Sequence, residues 1–111
     1  MEKKLSLQVL LFHILSNFDK IQNLDLADQV IDIIDQSSIS NFKVCFELAT
    51  SFSKTQNKFP DYDYLVSLSG LDIPDYRNKP FSLDLVDQFY SMLVSDYAVF
   101  NAISALHDGD H

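Results

Sequence analysis

The longest regular pattern of apolar positions lies near the end of the chain, between Phe81 and Leu106. Apolar residues recur there every three or four positions, which is the period of a helix with one buried face. Ser82 is a suitable N-cap and Gly109 a suitable terminator, so the pattern predicts one long helix. The stripe consists of Leu85, Phe89, Met92, Val99, Ile103 and Leu106, with one acid, Asp96, in step with them.

Three segments with a helical period come earlier in the chain. The first predicted helix runs from about Leu5 to Asn17, and the second begins after Asp25 as its N-cap. A third helix, capped by Ser38 or Ser40, continues to Phe52. Each helix has one apolar face, so together they can enclose a core.

A short fourth helix is predicted over residues 62–69, where Pro60 and Asp61 mark its start and Gly70 its left-handed end. The segment 71–80 contains two prolines and has no helical period, so we expect an ordered or mobile loop. Its anchors to the core would be Ile73, Tyr76 and the following Phe81. The whole pattern predicts a single all-α domain of about five helices over residues 1–111.

Composition supports one compact domain. The 111 residues are 47% hydrophobic and include only 2 glycines and 3 prolines, which suits helices joined by short connections. The formal charge is -8, and the basic residues are scattered apart from Lys3 and Lys4. Direct binding to nucleic acid requires a concentrated basic surface, so this composition argues against it and favours a protein partner.

The cysteine count and the first apolar run bear on the compartment. Cys45 is the only cysteine, so no internal disulfide is possible. The apolar run Leu5 to Leu15 lacks a following small-residue cleavage site and is too short to span a bilayer. We therefore expect a cytoplasmic protein without a membrane partner.

Four aspartates form the most regular polar pattern. Asp25, Asp28, Asp32 and Asp35 are spaced by three, four and three residues and share one side of the second helix. Along a straight helix they spread over about 15 Å, so they cannot converge on one cation. This aspartate face is interpreted as a solvated surface or as a contact for a basic protein partner.

No pattern identifies a metal site, a cofactor site or a catalytic site. The three histidines are His13, His107 and His111, and His107 with Asp108 and Asp110 could chelate a cation only weakly, so we expect no zinc site. Cys45 lies on the apolar stripe of the third helix, where a buried structural cysteine is the ordinary case. We expect a protein that is not an enzyme; a hydrolase using Asp and His residues is disfavoured because no pair is placed for acid and base work.

Asp96 has two interpretations. In the first, the long helix turns the face with Leu93, Phe100 and Ile103 to the core and leaves Asp96 at the margin. In the second, Asp96 pairs with Arg77, Lys79 or a residue of another subunit and fixes the register of an interface. Tyrosines are numerous enough to supply such an interface, and they are equally suited to a core margin.

Several features of the chain occur together in one known family. A helix ending in a polar turn leads to a short helix begun by proline, and a long helix follows whose end alternates charged and small apolar residues. These features lie at Gln8 to Leu10, Phe42, Phe46, Lys58 to Pro60, Leu65 to Leu68 and Asp96 to Ala102. In them the chain resembles the N-terminal domain of DnaB-type replicative DNA helicases, and most of all those of the T-even phages.

The resemblance implies a helical head followed by a helical hairpin. It also implies a role: such domains pair into a collar on the hexameric ring and dock primase or a helicase loader. The ATPase would lie in a further domain, and the chain has no GxxxxGK[ST] loop. The interface expected on the long helix consists of Leu85, Phe89, Met92, Asp96, Tyr97 and Phe100.

Two functional hypotheses follow. The first is a non-catalytic helicase domain that pairs through its long helix, so Phe89→Asp should abolish self-association. The second is a standalone acidic phage or bacterial protein that inhibits or regulates a nucleic-acid enzyme through the aspartate face. In that case Asp28→Lys with Asp32→Lys should abolish binding to the partner, and the binding should weaken steeply with salt.

Overall fold

The computed structural model describes residues 6–109 and gives side-chain surroundings for residues 6–103. This part of the chain contains five α-helices and no strand, which confirms the predicted all-α fold. Two short 3-10 turns, Phe18–Lys20 and Ser40–Phe42, connect neighbouring helices. The helices are α1 (Leu7–Ser16), α2 (Leu26–Ile34), α3 (Lys43–Gln56), α4 (Tyr62–Ser69) and α5 (Asp84–Gly109).

Local capping explains where α1 and α4 begin. The Ser6 hydroxyl accepts a hydrogen bond from the Val9 backbone N–H at 3.2 Å. The Asp61 carboxylate accepts one from the Tyr64 backbone N–H at 2.9 Å, and Gly70 ends α4 with φ 69°. Both side chains satisfy backbone donors that a helix leaves without internal partners. The predicted bounds and caps of α4 are therefore confirmed.

The starts of α2, α3 and α5 differ in detail from the prediction. Asp25 precedes α2 but caps it with no side-chain hydrogen bond, and Asn23 Oδ1 instead accepts the Asp25 N–H at 3.1 Å. Neither predicted serine caps α3, because the 3-10 turn intervenes and α3 begins at Lys43. α5 begins at Asp84, two residues after Ser82, since 3-10 type hydrogen bonds occupy the turn between them.

The helices pack around a core with aromatic side chains at its centre. α5 lies against α1 and α2, while α3 lies against α2 and α4. Phe18 meets Phe59 edge to face at 4.3 Å between ring centroids, and it meets Phe46 at 5.6 Å. Phe46 in turn stacks on Phe89 of α5 at 6.1 Å. Offset and edge-to-face contacts of this kind add to the burial of apolar area, so they fix the position of α5.

The loop between α4 and α5 is attached to the rest of the domain by hydrogen bonds and ring contacts. The Ser16 hydroxyl donates to the Pro74 carbonyl at 3.1 Å and accepts from the Tyr76 N–H at 2.9 Å. The Tyr62 hydroxyl donates to the carbonyl of Ile73, whose side chain is buried. The Tyr76 ring packs edge to face on His13 at 4.9 Å. The predicted anchors Ile73 and Tyr76 are thus confirmed.

Candidate interaction surfaces

α5 divides into a buried part and an exposed part. In the first part, Val86, Phe89 and Leu93 are buried against the other helices. Beyond Asp96 the apolar side chains are largely exposed: Val99 by 59%, Phe100 by 48% and Ile103 by 52%. We call these three residues the exposed stripe. The helix therefore continues past the region where the domain covers it.

The exposed stripe continues the buried face of the same helix. Phe100 follows Leu93 by seven residues and Phe89 by eleven, and both spacings are close to whole turns at 3.6 residues per turn. Val99 and Ile103 follow Met92, which is half-buried against the core, by seven and eleven residues. An apolar face that continues in register beyond the core is typical of a helix that packs against a second molecule or element.

The structure divides the predicted interface residues between the core and the surface. Phe89 is fully buried and stacks on Phe46, and this corrects its assignment to a pairing surface. Leu85 and Met92 are half-buried and pack against the core. Tyr97 is half-buried, and Phe100 is largely exposed. Since a charge at residue 89 would enter the core, Phe89→Asp would unfold the domain rather than report on self-association.

Of the predicted helical hairpin, the described residues contain one long helix, α5. α5 is 26 residues long, and its first part completes the helical head. A hairpin would need a second helix along residues 97–103. Among the described residues, Val99, Phe100 and Ile103 remain about half exposed, so no such helix covers them here.

Asp96 lies where α5 leaves the head. It is half-buried, and its Oδ2 accepts the Ser38 backbone N–H at 2.7 Å. The hydrogen bond joins α5 to the turn between α2 and α3 and supplies the partner that the sequence pattern required. The acid on the apolar stripe therefore serves as a tether at the margin of the core.

The predicted pairing of Asp96 with Arg77 or Lys79 is wrong. The Arg77 guanidinium is bound to Asp75 at 2.9 Å and to Asp63 at 3.4 Å. Its hydrogen bond to Asp75 raises the pKa of Arg77 and lowers the pKa of that carboxyl. The Lys79 ammonium lies 5.4 Å from the centroid of the Tyr76 ring. Both cations thus interact with residues of the loop between α4 and α5 and not with Asp96.

The aspartate face is present as predicted on α2. All four of its carboxylates are exposed, while Ala27, Val30 and Ile34 on the opposite side are buried. Asp35 pairs with Lys43 at 2.8 Å, and this hydrogen bond raises the pKa of Lys43. Three aspartates, Asp25, Asp28 and Asp32, form no ion pair within the described part of the chain. The face offers an uncompensated negative surface one helix long.

Cys45 and His13 lie in environments that suppress their reactivity. Burial raises the pKa of the Cys45 thiol to about 11, so the thiol is protonated at neutral pH. An activated nucleophile requires the opposite shift. Burial, and secondarily the charge of Lys79, lowers the pKa of His13. Within residues 6–109 no group of three or more His, Cys, Asp or Glu residues is placed to hold a metal ion.

Two further features emerge only in three dimensions. The Ser16 hydroxyl contacts a loop about sixty residues away in sequence, and no local pattern marks this partner. A cleft beside Phe52 and Tyr64 gathers residues from three separate segments.

Each helix in the described range is too short or too polar to cross a lipid bilayer.

The chain matches no protein-family model, no curated protein and no solved structure. The exposed stripe of α5, the aspartate face of α2 and the cleft beside Phe52 are therefore the features from which a function can be inferred.

Proposed function

We propose that this chain is a non-catalytic protein-interaction domain that pairs with a second copy of itself through the end of α5. The observation that carries the proposal is the exposed stripe of Val99, Phe100 and Ile103. Phe100 continues the register of the buried Phe89 and Leu93, and Val99 and Ile103 continue that of the half-buried Met92. Burying these side chains against a partner would remove apolar area from water. Each buried side chain of this size contributes about 1.5–3 kcal/mol when fully covered.

Charge limits where on the surface a second copy can approach. Each chain carries a formal charge of -8, so two copies repel one another over most of their surfaces. The segment 97–106 contains no charged residue. Within it, Val99, Phe100 and Ile103 offer two acidic copies an apolar contact that brings no charged side chain of this segment together.

The resemblance to DnaB-type helicases suggests the setting of this pairing. In that family the N-terminal domains pair into a collar and dock primase or a helicase loader. We propose the same role here, with α5 as the pairing helix and the helical head as the surface available to the docked protein.

Light scattering on two exposed variants tests the pairing. Phe100→Asp places a charge in the centre of the exposed stripe, so we expect a pair in the unmodified chain and a monomer in the variant. Val94 is the matched control, because it is 41% exposed and lies on the same helix. It points about 120° away from Phe100 at 3.6 residues per turn, so Val94→Asp should leave the pair intact.

Two outcomes would overturn the proposal. One is a strictly monomeric unmodified chain at all concentrations. The other is a pair that resists Phe100→Asp and dissociates with Val94→Asp, which would place the contact on the opposite side of α5. Circular dichroism should show unchanged helix content in both variants, since both positions are exposed.

A second candidate function is favoured by the aspartate face. Three of its carboxylates form no ion pair with the described residues and suit a basic groove, so we propose as the alternative a standalone acidic protein that binds and inhibits or regulates a nucleic-acid enzyme. Asp28→Lys with Asp32→Lys would then abolish binding to the partner while leaving the molar mass unchanged. If the aspartate-face variant still binds its partner and the unmodified chain forms a pair that Phe100→Asp dissociates, the first proposal is favoured over this alternative.

A further inference from the structure

A cleft of about 360 Å³ lies at the end of the head where three segments meet. The segments are the 3-10 turn after α1, the end of α3 with the connection to α4, and the start of α4. Its volume is in the range of about 300–1,000 Å³ that is typical of ligand sites. We call it the aromatic cleft; its lining residues are Asp19, Phe52, Lys58, Phe59, Asp61 and Tyr64.

Half of the lining residues are aromatic. Phe59 is 2% exposed and packs on Phe18, so its ring is held in place by the core. Phe52 and Tyr64 are half-buried and meet edge to face at 4.9 Å. Aromatic faces carry partial negative charge and attract cations, most strongly where water is partly excluded. The walls therefore favour a cationic group with a flat or apolar body.

The charged residues at the rim favour the same kind of ligand. Asp19 and Asp61 contribute two carboxylates against the single ammonium of Lys58. Asp61 Oδ1 is engaged by the Tyr64 N–H, which fixes this carboxylate at the cleft. Among the residues described, neither Asp19 nor Lys58 forms an ion pair. A negative charge thus remains available to an incoming cation.

The same domain already holds cations against tyrosine rings. The Arg77 guanidinium lies 4.6 Å from the Tyr62 ring centroid and is paired with Asp75 and Asp63. That arrangement combines an aromatic face with two carboxylates, which are also the groups that line the aromatic cleft. In the cleft no such arginine is supplied by the described residues.

We propose that the aromatic cleft binds an arginine side chain from a basic segment of a partner protein. The planar guanidinium stacks on aromatic rings and pairs with a carboxylate in a fixed geometry, whereas an ammonium is more strongly hydrated. An anionic ligand would meet Asp19 and Asp61 and be repelled. The cleft uses no residue of the exposed stripe or of the aspartate face, so this site does not rest on the pairing of α5.

A peptide titration followed by ¹H–¹⁵N NMR tests the site. The probe is a short arginine-rich peptide, and its matched control is the same peptide with citrulline, which is neutral and nearly identical in shape. We expect the arginine peptide to shift signals of Asp19, Phe52 and Tyr64, and the citrulline peptide to shift none. A weaker response to the corresponding lysine peptide would agree with stacking of the guanidinium.

Point variants separate this cleft from general attraction to an acidic protein. Asp19→Asn and Tyr64→Leu should each weaken binding by about two- to fivefold, while Lys58→Gln should strengthen it by about twofold. Asp28→Asn removes the same charge from the aspartate face and should have no such effect. Asp19 and Lys58 are exposed, so these two changes leave the core intact.

Three results would overturn the proposal. The first is the absence of any signal shift with the arginine peptide. The second is an equal response to the citrulline peptide, which would show that charge is not recognised. The third is weakening by Asp28→Asn as large as that by Asp19→Asn, which would place the peptide on the aspartate face.

Discussion

His13 is a buried titratable group with a ring nitrogen, Nδ1, that has no hydrogen-bond partner among the described residues. The residue is 7% exposed and its ring packs on Tyr76, so the imidazole joins α1 to the loop before α5. Burial and the nearby Lys79 both disfavour the imidazolium, and the pKa of His13 is lowered from 6.5. Folding therefore shifts the equilibrium at this ring toward the neutral form.

This shift predicts a loss of stability in mild acid. The unfolded chain binds a proton at His13 at higher pH than the folded chain, so the free energy of unfolding decreases as pH falls through 6.5. Urea unfolding at about pH 8 and about pH 5.5 should show a lower midpoint in acid. His13→Gln should reduce this difference, because it removes the group that takes up the proton on unfolding. The other two histidines are present in both proteins and contribute equally. An unchanged pH dependence in His13→Gln would contradict the assignment.

At the same scale, sequence alone reaches a residue's general environment but not its partner. The helical period places Asp96 on an apolar stripe. The structure shows that the Ser38 backbone N–H donates a hydrogen bond to the Asp96 carboxylate. The period also places Cys45 on the buried side of α3, and the structure confirms complete burial. Partners such as Ser38 lie far away in sequence and in a turn, so no local pattern specifies them.

At the scale of the helix, local signals predict α4 best. Asp61 and Gly70 bound the helix through short-range hydrogen bonding and backbone geometry, so nearby residues suffice to define it. α3 and α5 start later than predicted because 3-10 turns use the residues before them. The buried and exposed parts of α5 share one period. Only the packing of the other helices decides where burial ends, after Leu93.

Gly70 gives an element-scale prediction. Its φ of 69° is in the left-handed region, and a Cβ atom there would meet nothing within 4 Å. The cost of Gly70→Ala is therefore one of backbone conformation alone, about 1 kcal/mol of unfolding free energy. Gly70→Asn should cost less, since asparagine tolerates this conformation, as Asn57 does at the end of α3 with φ 56°. Urea unfolding of both variants measures the difference.

Two outcomes would contradict this account of the cap. Equal stability of Gly70→Ala and the unmodified chain would show that the loop after α4 relaxes without cost. A larger loss for Gly70→Asn than for Gly70→Ala would show that side-chain contacts, and not the backbone angle, decide the stability at this position.

At the scale of the whole molecule, α5 connects folding to the proposed pairing. Phe89 and Leu93 complete the core, and Phe100 lies on the same face two to three turns later. A change at either end of this stripe therefore affects the same helix in different ways. Loss of Phe89 removes contacts with Phe46 inside one copy, whereas loss of Phe100 removes the contacts that its exposed part would make with a second copy.

Thermal unfolding at several protein concentrations distinguishes the two ends. Pairing stabilises the folded state by mass action, so Tm of the unmodified chain should rise with concentration. Phe100→Ala should remove that rise and change the stability at the lowest concentration by less than about 0.5 kcal/mol. Phe89→Ala should cost about 3–5 kcal/mol at every concentration, because it leaves a cavity beside Phe46.

The comparison of the two alanine variants also tests where the core ends. If Phe100→Ala lowers Tm at the lowest concentration as much as Phe89→Ala does, Phe100 belongs to the core of a single copy. A Tm that is independent of concentration in the unmodified chain would instead show that the chain does not pair with a second copy. The exposed stripe would then require a different occupant, since its apolar side chains would still continue the register of a buried face.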